Sequence, residues 1–373
     1  MTDNIEAAVR ALLPQIRERA SEIETARRMP TDLVDALRKA GMFRMLTPKV
    51  SGGAEMEYPV SVQLLRDLAR ADGSAGWSLM IGCETPQLLA LLDRATFDEL
   101  YASGPDVMVG GAFAPKGSAT RVEGGYRVSG QWGFASGCEH AHWLFGNCVV
   151  ATDSASGNSL PEMRCMMRKR EDWQILDTWH TSGLCGTGSH DIVLDDVFVP
   201  EQHSFDLFGG TPCFKGPLFA APLLQFALHI AAVALGIAEG ALEELTEFAK
   251  AGKTRLYARS SLADGELFQY RLGHAEADVQ AARAMLNARV SDYWQRAHTG
   301  DIPADYRTTI QQTEAWVVEM SARVVDACYT AGGGSSIYAG SNLQRRLRDI
   351  HTLTQHASAQ EGVFADAGRL LLV

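Results

Sequence analysis

The chain has 373 residues, 46% of them hydrophobic and 21% charged, with a formal net charge of -11. That length exceeds one small core and predicts two or three domains, and the composition excludes a disordered chain. The acidic balance excludes a nucleic-acid surface. Seven scattered cysteines (83, 138, 148, 165, 185, 213 and 328) without a CxxC pair exclude a zinc ribbon or disulfide framework, and predict a reducing cytoplasm. The start, Met1 to Glu6, is acidic and shows no apolar signal core.

Residues 2–104 are expected to be helical. Ile5, Val9, Leu12, Leu13 and Ile16 recur at helical spacing. Pro30-Thr31-Asp32 opens a second helix carrying Leu33, Val34, Leu37 and Met42; 48–53 is a loop; 58–68, 77–92 and 93–101 resume the pattern. The character changes at Gly104-Pro105. Residues 106–200 alternate in twos between glycines, as a β domain does. Within them 121–128 reads as a hairpin turning at Gly124-Gly125, and 192–200 as a strand pair. After a Gly/Pro-rich link at 208–222, long helices are expected at 227–250, 268–298, 306–331 and 342–371, the lengths of a four-helix bundle. Residues 217–238 are apolar enough to suggest a membrane span, but Pro222, Gln225 and His229 interrupt them, so a buried helix is expected. The predicted domains are 1–104, 105–210 and 211–373.

The stretch 130–137, Gly-Gln-Trp-Gly-Phe-Ala-Ser-Gly, joins two aromatic rings to one small hydroxyl. A flat, polarisable cofactor needs a ring to lie against and a hydroxyl aimed at a ring atom. The stretch is therefore a candidate flavin lip, with Trp132 and Phe134 at the ring and Ser136 as the hydroxyl. The plainer readings are a serine closing a turn and two core aromatics. His356 is the candidate acid–base group, because an imidazole exchanges protons near neutral pH; the plainer reading is a structural histidine. His351, five residues earlier, falls about 140° away on a helix, so the two are not expected to share a metal. Gly252-Lys253-Thr254 has Glu247 where a phosphate loop needs glycine, and Gly186-Thr187-Gly188 lacks the third glycine of a dinucleotide fingerprint. Glu139-His140-Ala141-His142 has HxH spacing without further convergent ligands, and no metal is expected.

Taken in order, these segments resemble the acyl-CoA dehydrogenase fold, an α+β architecture of N-terminal helices, central β domain and C-terminal four-helix bundle. The resemblance is carried by Leu37-Arg38-Lys39-Ala40-Gly41-Met42-Phe43-Arg44 with Pro48-Lys49 and Gly52-Gly53, by 134–137, by 183–189, by Arg255 with Phe268-Gln269, and by Arg348-Asp349-Ile350-His351 with Thr354-Gln355-His356. It is nearer to the flavin-dependent monooxygenase branch, the two-component hydroxylases. That resemblance implies reduced flavin, FMNH2 or FADH2, delivered by diffusion from a separate reductase. It implies O2 activated as a C4a-hydroperoxide, hydroxylation of a small phenol- or indole-like substrate, and a homotetramer without membrane or nucleic-acid partners. It implies Ser136 at flavin N5, Trp132, Phe134, Ser189, Arg255 and Gln269 around the cofactor, and His351 near the substrate. Several hydroxylases carry a histidine about eight residues after the N-terminal tryptophan; from Trp77 that position is Thr85, the remaining substrate-side candidate. The face of 226–242 is expected against other subunits. The dehydrogenases' glutamate has no match before Glu361, which weakens that alternative; an amine-oxidising relative and a non-catalytic assembly subunit are the others.

Overall fold

The computed structural model describes residues 2–151, 161–252 and 261–372. Helices come first: α1 (Thr2–Arg10), α2 (Leu13–Glu18), α3 (Ala20–Ala26), α4 (Thr31–Ala40), α5 (Tyr58–Ala71), α6 (Gly73–Cys83), α7 (Thr85–Leu89) and α8 (Arg94–Leu100). The segment expected as one helix over 77–92 is two, because Glu84 ends α6 and Pro86 sits in the first turn of α7, where its missing N–H costs nothing. Asp72 starts α6 as an N-cap, its carboxylate accepting from the Ala75 N–H at 2.8 Å.

The sheet comprises β1 (Val109–Val122), β2 (Gly125–Trp132), β3 (Trp143–Val150), β4 (Met163–Lys169), β5 (Gln174–Leu176), β6 (Asp191–Pro200) and β7 (Ser204–Phe205), in the order β5-β6-β2-β1-β3-β4-β7. β1 and β3 run parallel and the other neighbours antiparallel. The first hairpin turns one residue earlier than expected: Val122 pairs with Gly125, and Gly124 takes the positive φ of 77°. Residues 192–200 form one strand, not two. Asp196 at φ 48° inserts an extra residue opposite β2, and that bulge breaks the alternation as a turn does.

The chain then runs through α9 (Pro222–Lys250), α10 (Glu266–Thr299), α11 (Tyr306–Gly332), α12 (Asn342–Leu353) and α13 (Gly362–Leu370). The early and late helices share one apolar core, in which Leu64, Leu65 and Leu68 of α5 join Val233 and Ile237 of α9. By length and composition α9 is apolar enough to cross a membrane, but 89% of its apolar window is buried inside the chain. Its apolar residues lie in the chain's own core, which corrects the expectation that they face other subunits. The fourth expected helix is broken. α12 stops at Leu353, a single tight turn follows at Ala357–Ala359, and α13 restarts at Gly362. His356 lies in that break with extended backbone (φ -65°, ψ 138°), so the helical angle between it and His351 does not apply.

Candidate active site

Two loops meet at the end of the sheet. The chain leaves β2 through Phe134, a non-glycine residue at φ 65°, and is tied to the loop before β6 by Ala135 N–H to His190 O (3.2 Å) and Gly137 N–H to Thr187 O (3.0 Å). These bonds set Ser136 beside Ser189, with their hydroxyls 2.7 Å apart. Ser189 Oγ is also 2.7 Å from Thr187 Oγ1, and the Thr187 hydroxyl donates to Leu184 O at 2.8 Å. Each hydroxyl has one proton and two lone pairs. Thr187 gives its proton to Leu184 O, so Ser189 donates to Thr187 and Ser136 donates to Ser189. The indole N–H of Trp77 donates to Ser136 Oγ at 3.0 Å. The chain is thereby oriented, and Ser136 ends it as an acceptor with one lone pair left.

Helices hold this loop from behind. The Gly186 N–H donates to Ser74 Oγ (3.2 Å) and the Leu184 N–H to Asp349 Oδ1 of α12 (2.6 Å). Burial, helped by the Asp72 carboxylate, pushes Asp349 up to about 7. The folded chain therefore keeps a proton on Asp349 through the window from about 4 to 7, where the unfolded chain has lost it, and stability falls as pH rises through that window. Asp349→Asn is expected to flatten this slope, read as urea midpoints at either end of the window. An unchanged slope would assign the loss to other groups.

Trp77 also contacts His356, whose ring is edge-on to the indole with centroids 5.3 Å apart at 64°. Phe226 of α9 makes a similar edge contact at 6.1 Å. Among these rings burial pushes the imidazole down to about 4, so it is neutral near pH 7. Its Nδ1 lies 2.7 Å from Ser358 Oγ, which is bonded in turn to the Glu314 carboxyl of α11. Glu314 is buried, has no partner for Oε2 among the described residues, and is pushed up to about 8 by that burial.

Ser136, Ser189 and His356 are thus brought together around Trp77. Phe134 is beside them, 76% exposed and edge-on to Trp179 at 5.9 Å. Trp132 belongs instead to the sheet core. It is 0% exposed, its N–H donates to Asn147 O at 2.7 Å, and a Cβ at Gly117, Gly130 or Gly146 would stand 2.0, 2.6 or 2.5 Å from its ring. No flat cofactor reaches a ring so enclosed, which corrects its assignment to the cofactor. Thr85 is likewise structural: its hydroxyl donates to Gly82 O and accepts from the Val109 N–H, both at 2.9 Å, and the residue is fully buried. His351 is exposed and bonded to Asp326 Oδ1 at 2.8 Å, and it does not join Trp77 or His356 among the described residues. Gln269 is exposed, its amide on Ala263 O at 2.9 Å; Arg255 lies outside the described residues. His142 of the HxH run accepts from the Met108 N–H at 3.0 Å. A polar cleft lined by Arg27, Arg28, Glu139, Arg170, Asp177 and His190 lies one residue from Ser189, but neither Ser136 nor His356 lines it, and its Arg27 and Arg28 are paired with Asp177 and Glu139.

Trp77 served only to place Thr85 and was not assigned to the site, and Glu314 and Ser358 were not singled out from sequence. Trp77 sits among small residues, where it reads as core. Glu314 and Ser358 are 44 positions apart and carry no local signal.

Family models described as the acyl-CoA dehydrogenase N-terminal and C-terminal domains match residues 2–96 and 228–361. An indole-3-acetate monooxygenase of Pseudomonas putida is 34% identical over 97% of this chain and 92% of its own. The flavin-dependent monooxygenase oxygenase subunit HsaA of Rhodococcus jostii is 31% identical over 93% and 92%. The crystal structure of the HsaA monooxygenase from M. tuberculosis superposes with a TM-score of 0.89, at 29% identity over 100% of this chain and 97% of that one.

Proposed function

The chain belongs to the acyl-CoA dehydrogenase superfamily, in its flavin-dependent monooxygenase branch, and from that premise we propose that it hydroxylates a small aromatic or heteroaromatic molecule, phenol- or indole-like. Reduced flavin, FMNH2 or FADH2, supplies when bound the electrons that make O2 reactive. The observation that carries the reading is the oriented hydroxyl chain: Ser136 Oγ gives its proton to Ser189, takes the Trp77 N–H, and keeps one lone pair. A reduced flavin ring presents an N–H at N5, and a neutral acceptor with one free lone pair fits it. The exposed Phe134, standing on Trp179, offers the aromatic surface such a ring needs.

The chain's own residues then divide the work. Ser136 holds the N5 proton, and Ser189 and Thr187 fix the direction of its hydroxyl. Trp77 and Phe226 exclude water from the imidazole. His356, neutral and engaged at Nδ1, exchanges a proton at Nε2 with the substrate or with oxygen. Gln269, exposed in one chain, and Arg255 would help to hold the flavin in a homotetramer, and a separate reductase would supply that flavin in the cytoplasm. The chain divides into domains at 1–104, 105–210 and 211–373.

Ser136→Ala tests the reading. Flavin should still bind, while product formed per reduced flavin falls about tenfold, the weight of one hydrogen bond, and hydrogen peroxide takes its place. Product and peroxide in wild-type proportion would remove Ser136 from the reaction.

A further inference from the structure

Ser358 Oγ stands between two groups that both need its proton: His356 Nδ1 at 2.7 Å and Glu314 Oε1. A hydroxyl donates once, so the trio has two settings. In one, the ionised Glu314 accepts from Ser358, Ser358 accepts from Nδ1–H, and Nε2 is bare. In the other, the protonated Glu314 donates to Ser358, Ser358 donates to Nδ1, and Nε2 carries the hydrogen. The backbone N–H of Ser358, 3.4 Å from Nδ1, also favours the second. The free Oε2 fits it too, since a buried carboxylate oxygen without a partner is costly when charged.

We propose that Glu314 is a positioning residue that acts through Ser358 to decide which nitrogen of His356 carries the hydrogen, and to store the proton that His356 takes up at Nε2. This rests on the reading of His356 as the acid–base group. As Nε2 gains a proton, Nδ1 passes its own to Ser358 Oγ and Ser358 passes its hydrogen to Glu314 Oε1. One N–H bond forms and one breaks at the ring, one O–H forms at Glu314, and the negative charge leaves Glu314 for the group that lost the proton. The ring stays neutral throughout. That matters because an imidazole held down to about 4 does not keep a second proton, whereas a carboxyl held up to about 8 does. Charged groups on the elements packed against α11 make their bonds away from Glu314. Arg289 of α10 bonds Thr313, Glu244 of α9 bonds Arg346, His351 of α12 bonds Asp326, and Arg369 of α13 bonds Asp366; none pairs with Glu314 among the described residues.

The test is ring-nitrogen NMR of histidine-labelled full-length protein without flavin, the His356 signals being those lost in His356→Ala. Wild type should pass from the Nε2–H to the Nδ1–H form as pH rises through about 8. Glu314→Gln and Ser358→Ala should each hold one form from roughly pH 6 to 10. Both should lower kcat about tenfold or more without raising KM for reduced flavin, and Ser358→Thr should restore both readouts. Ser358→Ala removes only a hydroxyl, so it decides the matter if Glu314→Gln fails to fold. A wild-type ring form indifferent to pH, or a variant that follows pH as wild type does, would overturn the proposal. Normal turnover in His356→Ala would instead overturn the acid–base reading, and the NMR result distinguishes the two failures.

Discussion

His356→Ala is expected to lower turnover by about 10²–10⁴-fold, the range of one positioned acid–base group, while His351→Ala leaves it near wild type. The difference follows from placement. His356 sits in the break after α12, its ring among Trp77 and Phe226, whereas His351 is exposed on α12 and paired with Asp326. The pH dependence sharpens the assignment. Burial lowers the folded pKa of His356 to about 4, so its contribution to stability is present above about 6.5 and is lost as pH falls through 4. The imidazole is therefore already uncharged at pH 5 to 6, and wild-type turnover should show no acid limb near 6.5. Steady-state product formation for both variants, with flavin binding measured alongside, checks this. If His351→Ala were the dead variant, or if the acid limb sat at an ordinary histidine pKa, His356 would not be the exchanging group.

Much of the fold was legible because the hydrophobic period changes cleanly at Gly104-Pro105, from helical to alternating, and back again before α9. What failed was decided by contacts between distant segments. Alternation put Trp132 and Phe134 on one face, yet Trp132 is enclosed by Gly117, Gly130 and Gly146, while Phe134 has already left the strand at φ 65°. The break at 354–361 had no glycine or proline to announce it, the first glycine being Gly362. That break is what delivers His356 to the site, so the helical geometry expected of 342–371 failed where function depends on the departure. Ser136 and His356 were readable as chemistry-bearing residues. The indole between them and the carboxyl behind Ser358 were not, because no spacing links positions 77, 136, 314 and 356.

His229→Ala and Glu84→Ala are each expected to cost about 3–5 kcal/mol of stability, the loss that follows when one partner of a buried, hydrogen-bonded ionisable pair is removed and the other is left unsatisfied. His229 of α9 is fully buried; its Nδ1 meets Glu84 Oε1 and its Nε2 lies 3.0 Å from Ser61 Oγ. The set has the composition of a serine–histidine–glutamate triad, but its protons run the wrong way. The Ser61 hydroxyl donates to Tyr58 O at 2.7 Å, so it accepts from Nε2–H and has no proton for the histidine to remove. The Tyr58 ring covers the imidazole at 4.8 Å, and its own hydroxyl closes onto Gln225 O at 2.8 Å. Burial raises the Glu84 pKa, which the His229 contact opposes, so removing the imidazole leaves a desolvated acid beside the start of α7. Replacing both members with apolar residues of similar volume should recover most of the loss, since the pair contributes mainly by not being broken. Urea midpoints for the two single variants and the double variant decide between this and a catalytic role. Single variants within about 1 kcal/mol of wild type that nonetheless lose all turnover would mean the network serves the chemistry and not the fold.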